Sequence, residues 1–220
     1  WFFSGMPGPF ARAPLATLDP DGAIAAAIPP VHITGCVVHA SCMSPAPGEV
    51  RHVMGRRLIV GDATGGFSPR LSALVAVLAD AGFEAEASPR IQQDIWYKLW
   101  GNMTMNPVSA FTGATVDRIL DDPLANGFCR AVMDEAKAIG AAIGCPIEQT
   151  ADDRNAVTRK LGAIRTSMLQ DVVAGKPIEL DALLTVVREI AQRARIATPN
   201  LDALLGLTRV FARERGLYPS

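Results

Sequence analysis

What most narrows the fold of this chain is a change of grammar near Ser88-Pro89. Short β-rich pieces lie before it and helical patterning runs almost unbroken after it. Upstream, residues 33–40, 49–53 and 57–61 are rich in β-branched side chains and are separated by turn-forming runs such as Ser44-Pro-Ala-Pro-Gly48. They read as strands of a partly antiparallel sheet. Ser68-Pro69 then opens a helix over 70–81, with Leu71, Leu74, Val75 and Leu78 on one face and Gly82 as its stop. A short strand, 83–87, follows, and helix to strand after a glycine stop is α/β grammar.

Downstream, candidate helices run over about 91–105, 116–120, 123–143, 151–174, 179–194 and 199–215. Their caps or breaks fall at Asp122-Pro123, Thr150, Gly175-Lys-Pro177 and Thr198-Pro199. The sequence therefore predicts two domains, an α/β part over 1–89 and an all-α part over 90–220. Gly140 and Gly144, four apart, predict close helix packing. The chain opens Trp1-Phe2-Phe3-Ser4-Gly5 without a methionine, which is expected of a processed product or of a piece of a longer polypeptide.

Composition removes several functions. With 49% hydrophobic and 20% charged residues the chain is globular, and a net charge of −1 leaves no basic field for nucleic acid or an anionic membrane. Cys36, Cys42, Cys129 and Cys145 lie far apart, as packing residues do in a reducing compartment. His32, His39 and His52 form no metal-ligand pair. No apolar run approaches the ~20 residues that cross a bilayer. The expected location is the cytoplasm and the expected partner is a small molecule or another protein.

The chemistry concentrates in Ile95-Trp-Tyr-Lys-Leu-Trp-Gly-Asn-Met-Thr-Met-Asn-Pro107. Lys98, Asn102 and Asn106 follow one another at spacings of four, so on a helix each lies only about 40° around from the last. Trp96, Leu99, Trp100 and Met103 can anchor the opposite face in a core. A cation flanked by carboxamides suits a small oxyanion or carbonyl compound. Spacing alone leaves a plainer reading open, because a helical lysine ordinarily snorkels and Asn106, before a proline, is expected to end or kink the helix.

A second polar group comprises Ser167-Met-Leu-Gln-Asp171 and Gly175-Lys-Pro-Ile-Glu-Leu-Asp181. Ser167 and Asp171 share a helix face. Glu179, placed in the first turn of the next helix, either caps that helix or serves as a carboxylate for a substrate hydroxyl or a cofactor. A lysine and a glutamate facing one another would do general acid or base chemistry on an oxygen that gains charge.

These residues resemble the 2-dehydropantoate 2-reductase (ketopantoate reductase) family. The resemblance rests on Trp96-x-Lys98-Leu99-x-x-Asn102-x-x-x-Asn106-Pro107, Ser167-Met-Leu-Gln-Asp171 and Ile178-Glu-Leu-Asp181, in that order. Weaker similarity covers Gly35–Ser41, Pro47-Gly48 with His52, and Ile59-Val-Gly61. The resemblance implies the end of a Rossmann-like NADP-binding domain over 1–89. An all-α substrate-binding domain of the 6-phosphogluconate dehydrogenase C-terminal type would follow over 90–220. It implies NADPH as cofactor and a 2-oxo acid as substrate, reduced from 2-dehydropantoate to (R)-pantoate in pantothenate (coenzyme A) biosynthesis. Lys98 matches the family's catalytic lysine, which donates a proton to the ketone oxygen. Asn102, Asn106 and Ser167 match substrate ligands, Glu179 lies between substrate and cofactor, and Ser41 falls where the backbone nears NADP. A homodimer through the helical domain is also expected.

Two departures accompany the resemblance. A further substrate asparagine of some members would fall near Thr115 or Val116, which leaves another 2-oxo acid or ketone open as substrate. No G-x-G-x-x-G loop occurs in the chain, so a pyrophosphate has no motif of that kind here, and on the order of a hundred residues of a dinucleotide domain are expected to be missing. A non-catalytic dimerisation fragment built on long helices such as 151–174 and 199–215 is the reading of a different class.

Overall fold

Two strands and their turn account for much of the first half. In the computed structural model, which describes residues 1–220 apart from Pro7, Pro9, Arg12, Leu161 and Ser220, a short helix α1 (Ala23–Ala27) precedes β1 (Thr34–Met43). Strand β1 pairs antiparallel with β2 (Arg51–Asp62), from Thr34 opposite Asp62 to Met43 opposite Arg51. The strands expected over 49–53 and 57–61 are thus one strand. The reason is a bulge: between the pairs His39–Arg57 and Ser41–Met54, β1 advances two residues and β2 three, so β2 absorbs its Gly55 without breaking. Helix α2 (Pro69–Asp80) follows, and β3 (Glu84–Ala87) pairs parallel with the Arg57–Val60 part of β2, giving the order β1-β2-β3.

The chain divides into two compact units, Trp1–Pro14 with Gly22–Trp96, and Leu15–Asp21 with Tyr97–Ser220. In the first, burial of β2 is continuous only from Leu58 to Asp62, a run whose Leu58–Val60 part also pairs with β3, so both faces are covered there. Val37, Ile59 and Ile91 pack together, and Phe3 stacks edge-on with Phe2 at 5.2 Å between ring centres. Gln92, buried, donates to the carbonyls of Ser4 (2.9 Å) and Ala63 (2.7 Å). Asp62 is a buried carboxylate and therefore needs partners. It accepts from the Ser68 hydroxyl and from Arg70 at 2.6 Å.

Helix α3 (Ile91–Thr112) begins in the first unit and continues in the second. It runs six residues past Asn106, with Pro107 inside, so the expected end at 105 is corrected. Proline removes one backbone bond, that from its own position to the carbonyl of Met103, and burial of every residue from Met103 to Ala110 outweighs that loss. Trp96, Trp100 and Met103 are buried as the anchoring face requires, whereas Leu99 is half-buried.

The second unit is helical: α4 (Val116–Asp121), α5 (Pro123–Ala142), α6 (Ala151–Arg159), α7 (Ser167–Val173), a π-helical turn (Asp181–Thr185), α8 (Val186–Ala194) and α9 (Pro199–Glu214). Its buried residues include Cys129, Met133, Leu184, Leu201, Leu204 and Trp100, whose indole N–H donates to the Met133 carbonyl at 2.8 Å. Side-chain caps mark the starts of α5, α6 and α7. Asp122 accepts from the amides of Leu124 (3.0 Å) and Ala125 (2.8 Å), and Thr150 with Asp153 forms a capping box.

The single helix expected over 151–174 is two, because Thr166 caps a new start by accepting from Leu169 N–H at 3.2 Å. Gly144 is a helix stop rather than a packing partner of Gly140. It takes a φ of 84°, which a glycine adopts without strain, and Cys145 N–H returns to the Gly140 carbonyl at 2.8 Å. Thr198 provides no side-chain cap; Glu135 of α5 does so from a distance, accepting from the amides of Asn200 and Leu201, both at 2.9 Å. The segment Leu15–Asp21 is held in the same way by Glu189 of α8, which accepts from Ala16 N–H (2.9 Å) and Thr17 N–H (2.8 Å).

Candidate active site

Helix α3 carries Lys98, Asn102 and Asn106 one turn apart in the second unit. Lys98 and Asn102 are half-buried, and Asn106 is 8% exposed. A buried carboxamide must be satisfied, and Asn106 Nδ2 donates to Ser167 Oγ at 3.4 Å, a long bond. That contact joins residues 61 apart in the chain and brings two of the sequence motifs to one place. Ser167 is the first residue of α7, exposed, and positioned by the cap of its neighbour Thr166.

Glu179 is exposed and lies just before the π-helical turn, its carbonyl accepting from Leu183 N–H at 3.2 Å. It stands one residue before the N-cap, Leu180, rather than in the first turn, and no side chain caps that element. The capping alternative for Glu179 is therefore not what the structure adopts. Its carboxylate has no hydrogen bond or ion pair with another described residue. Ser41 belongs to the first unit, exposed on β1 at the bulge, opposite Met54.

Around the lysine and asparagines, one neighbour has no sequence signal. Arg154 of α6 stacks its guanidinium over the Tyr97 ring, 5.3 Å from the centroid, and lies so close to Gly101 that a Cβ there would be 3.0 Å from its Nη2. A contact between residues 57 apart leaves no local periodicity to read. Near the expected asparagine position, Val116 is buried. The Thr115 hydroxyl, and after it the amides of Arg118 and Asp117, lower the Asp117 carboxyl below the usual carboxylate range against the opposing effect of burial.

The residues present can be matched to a dinucleotide. A pyrophosphate seeks free amides at a helix start after a glycine turn. The turn Gly65-Gly66 does lead into α2, but the start is closed by Ser68, whose Oγ takes the Leu71 amide at 3.1 Å, and is faced by the Asp62 carboxylate. A second anion does not fit there. Among the described residues no group of three His, Cys, Asp or Glu side chains gathers to hold a metal ion, and no helix is long and apolar enough to cross a membrane.

A small three-stranded sheet is thus followed by a helical unit in which α3 carries a lysine and two carboxamides, one of them bonded to a serine of α7. The sequence model of the family described as ketopantoate reductase PanE/ApbA C terminal matches residues 90–212. A 2-dehydropantoate 2-reductase of Mesorhizobium japonicum is 39% identical over 218 residues, covering 99% of this chain and 67% of that relative. A crystal structure of a protein from Ralstonia solanacearum MolK2 assigned as a ketopantoate reductase superposes with a TM-score of 0.95 at 58% identity, covering 99% of this chain and 67% of that one. The 2-dehydropantoate 2-reductase of Methylococcus capsulatus gives 0.82 at 32% identity, over 90% and 68% of the two chains. The chain belongs to the ketopantoate reductase family, a family of oxidoreductases. It spans about two thirds or less of the length of the curated 2-dehydropantoate 2-reductases it matches.

Proposed function

We propose that the protein reduces 2-dehydropantoate to (R)-pantoate with NADPH as reductant, in pantothenate biosynthesis in the cytoplasm. The second unit is its substrate-binding and proton-donating part. The observation that carries this reading is the Asn106–Ser167 hydrogen bond, because it gathers residues of two separated family motifs on one surface. Ser167 binds the substrate carboxylate, Asn102 and Asn106 orient the 2-oxo acid, and Glu179 accepts a substrate hydroxyl. The Lys98 ammonium donates a proton to the ketone oxygen as that oxygen gains charge, which is general acid catalysis. The cofactor's phosphates find no cradle at the α2 start, so Ser41 and Glu179 are the residues of this chain offered to NADPH.

Turnover of NADPH with 2-dehydropantoate tests the reading. Lys98→Ala should lower kcat by about 10²- to 10⁴-fold with the far-ultraviolet circular dichroism intact; unchanged turnover refutes it. Thr115 and the buried Val116 stand where some family members carry a substrate asparagine, which favours a second reading, reduction of a different branched 2-oxo acid. A panel of 2-oxo acids separates the two by kcat/KM. The fragment reading loses one of its cues, since the long helix expected over 151–174 is two short ones. A homodimer through the helical unit is part of the proposal and is measured by sedimentation.

A further inference from the structure

The structure assigns a positioning role to the C-terminal segment: Leu217 and Tyr218 hold the backbone on both sides of Glu179. The inference rests on the reading of Glu179 as a substrate ligand. After α9 the chain turns back in a Schellman motif, with Gly216 N–H bonding to the Arg213 carbonyl at 2.9 Å and Leu217 N–H to that of Ala212 at 2.8 Å. Gly216 has a φ of 65°, the left-handed conformation this reversal requires. Leu217 is buried and anchors the returning chain.

Two bonds then reach the glutamate's neighbours. The Leu217 carbonyl accepts from Ile178 N–H at 3.0 Å, one residue before Glu179. The Tyr218 hydroxyl donates to Asp181 Oδ1 at 2.7 Å, two residues after it. Arg213 braces the latch, with its guanidinium 5.8 Å from the Tyr218 ring centroid and its Nε donating to the Pro219 carbonyl at 2.9 Å.

Such bracing has a use here. Glu179 is exposed and sits where the chain turns, Leu180 N–H bonding to the Ile178 carbonyl at 2.9 Å, into a π-helical element, a form found mostly as single-turn irregularities. An exposed carboxylate on unbraced chain would lose much of its rotational freedom on meeting a ligand, and pre-ordering the backbone removes part of that cost.

The test uses the intact protein with NADPH and 2-dehydropantoate, together with hydrogen exchange at the Ile178 amide, which reads the latch whether or not the protein turns over. Tyr218→Phe keeps the ring and the arginine contact but removes the hydroxyl. It should speed exchange at Ile178 and raise KM about fivefold, the equivalent of one ordinary hydrogen bond, with kcat within about twofold. Asp181→Ala should do the same, and Asp181→Asn, which still accepts from the tyrosine, should restore KM. In a Glu179→Gln background Tyr218→Phe should add nothing to KM. The latch is overturned if exchange at Ile178 is unchanged, or if Tyr218→Phe raises KM equally with and without Glu179. If exchange rises but neither Glu179→Gln nor Tyr218→Phe alters KM, the substrate role of Glu179 fails, and the positioning role with it.

Discussion

Pro107 lies inside a buried helix next to a residue of the candidate site, and replacing it should make the protein more stable and less active. A proline in a helix interior costs about 3 kcal/mol relative to alanine, through the lost bond and the clash of its ring with the preceding turn. Pro107 is buried, so Pro107→Ala also removes two methylenes from the core, at about 0.8 kcal/mol each. The balance is a gain of about 1.4 kcal/mol, or a Tm rise of roughly 3 to 6 °C for a chain of this size. Asn106 precedes the ring, and its bond to Ser167 is already long at 3.4 Å. Relaxing the ring clash with the Met103 carbonyl re-aims that carboxamide, and a misplacement of about 1 Å costs on the order of 10²-fold in rate. Thermal unfolding and steady-state turnover on the same preparation measure both quantities. A rise in Tm with turnover unchanged would show that the proline does not aim Asn106. A fall in Tm would show that burial, not backbone bonding, governs this position.

Glu135→Ala should destabilise the helical unit by about 2 kcal/mol, because it removes the only side-chain acceptor described for the Asn200 and Leu201 amides, and denaturant unfolding with exchange at those amides measures it. Asp62 is held below the usual carboxylate range, first by the Ser68 hydroxyl and then, against burial, by Arg70 and Thr34. Since the folded pKa lies below the unfolded one, the stability it contributes is present above about pH 4 and is lost as pH falls through the folded pKa, so Asp62→Asn should flatten the acid limb of a stability–pH curve. Burial pushes the Cys129 thiol up to about 12, so at pH 8 a thiol reagent should modify exposed Cys36 and Cys42 in the native protein and reach buried Cys129 and Cys145 only after denaturant is added.

How much of this was legible in the sequence follows from the range of the interactions involved. Signals that act within one turn were readable: the Ser68-Pro69 start of α2, the Asp122-Pro123 start of α5, and the buried Trp96, Trp100 and Met103 face of α3. Errors arose where distant burial or a distant partner outweighed a local rule. The Asn106-Pro107 pair signals a helix end, yet α3 runs on because its surroundings bury every residue from Met103 to Ala110. Thr198-Pro199 signals a cap, yet Glu135 from α5 provides it.

The candidate site divides along the same line. The one-turn spacing of Lys98, Asn102 and Asn106 follows from helix geometry alone, so their shared stripe could be read without coordinates. Which side chains meet that stripe could not be read from spacing. The Ser167 hydroxyl reaches Asn106 across 61 residues, the Arg154 guanidinium lies against Tyr97 and Gly101, and the tail reaches the Glu179 loop through Ile178 and Asp181. Each of these contacts bears on a residue of the motif or its neighbour, and each comes from an element the motif does not name. Loss of Arg154 or Tyr218 should therefore change how the site holds its ligand while leaving the motif residues themselves in place. A comparison of Lys98→Ala with Tyr218→Phe makes the distinction measurable: under the proposed roles the first removes the proton donor and should lower kcat, whereas the second loosens the proposed ligand Glu179 and should raise KM.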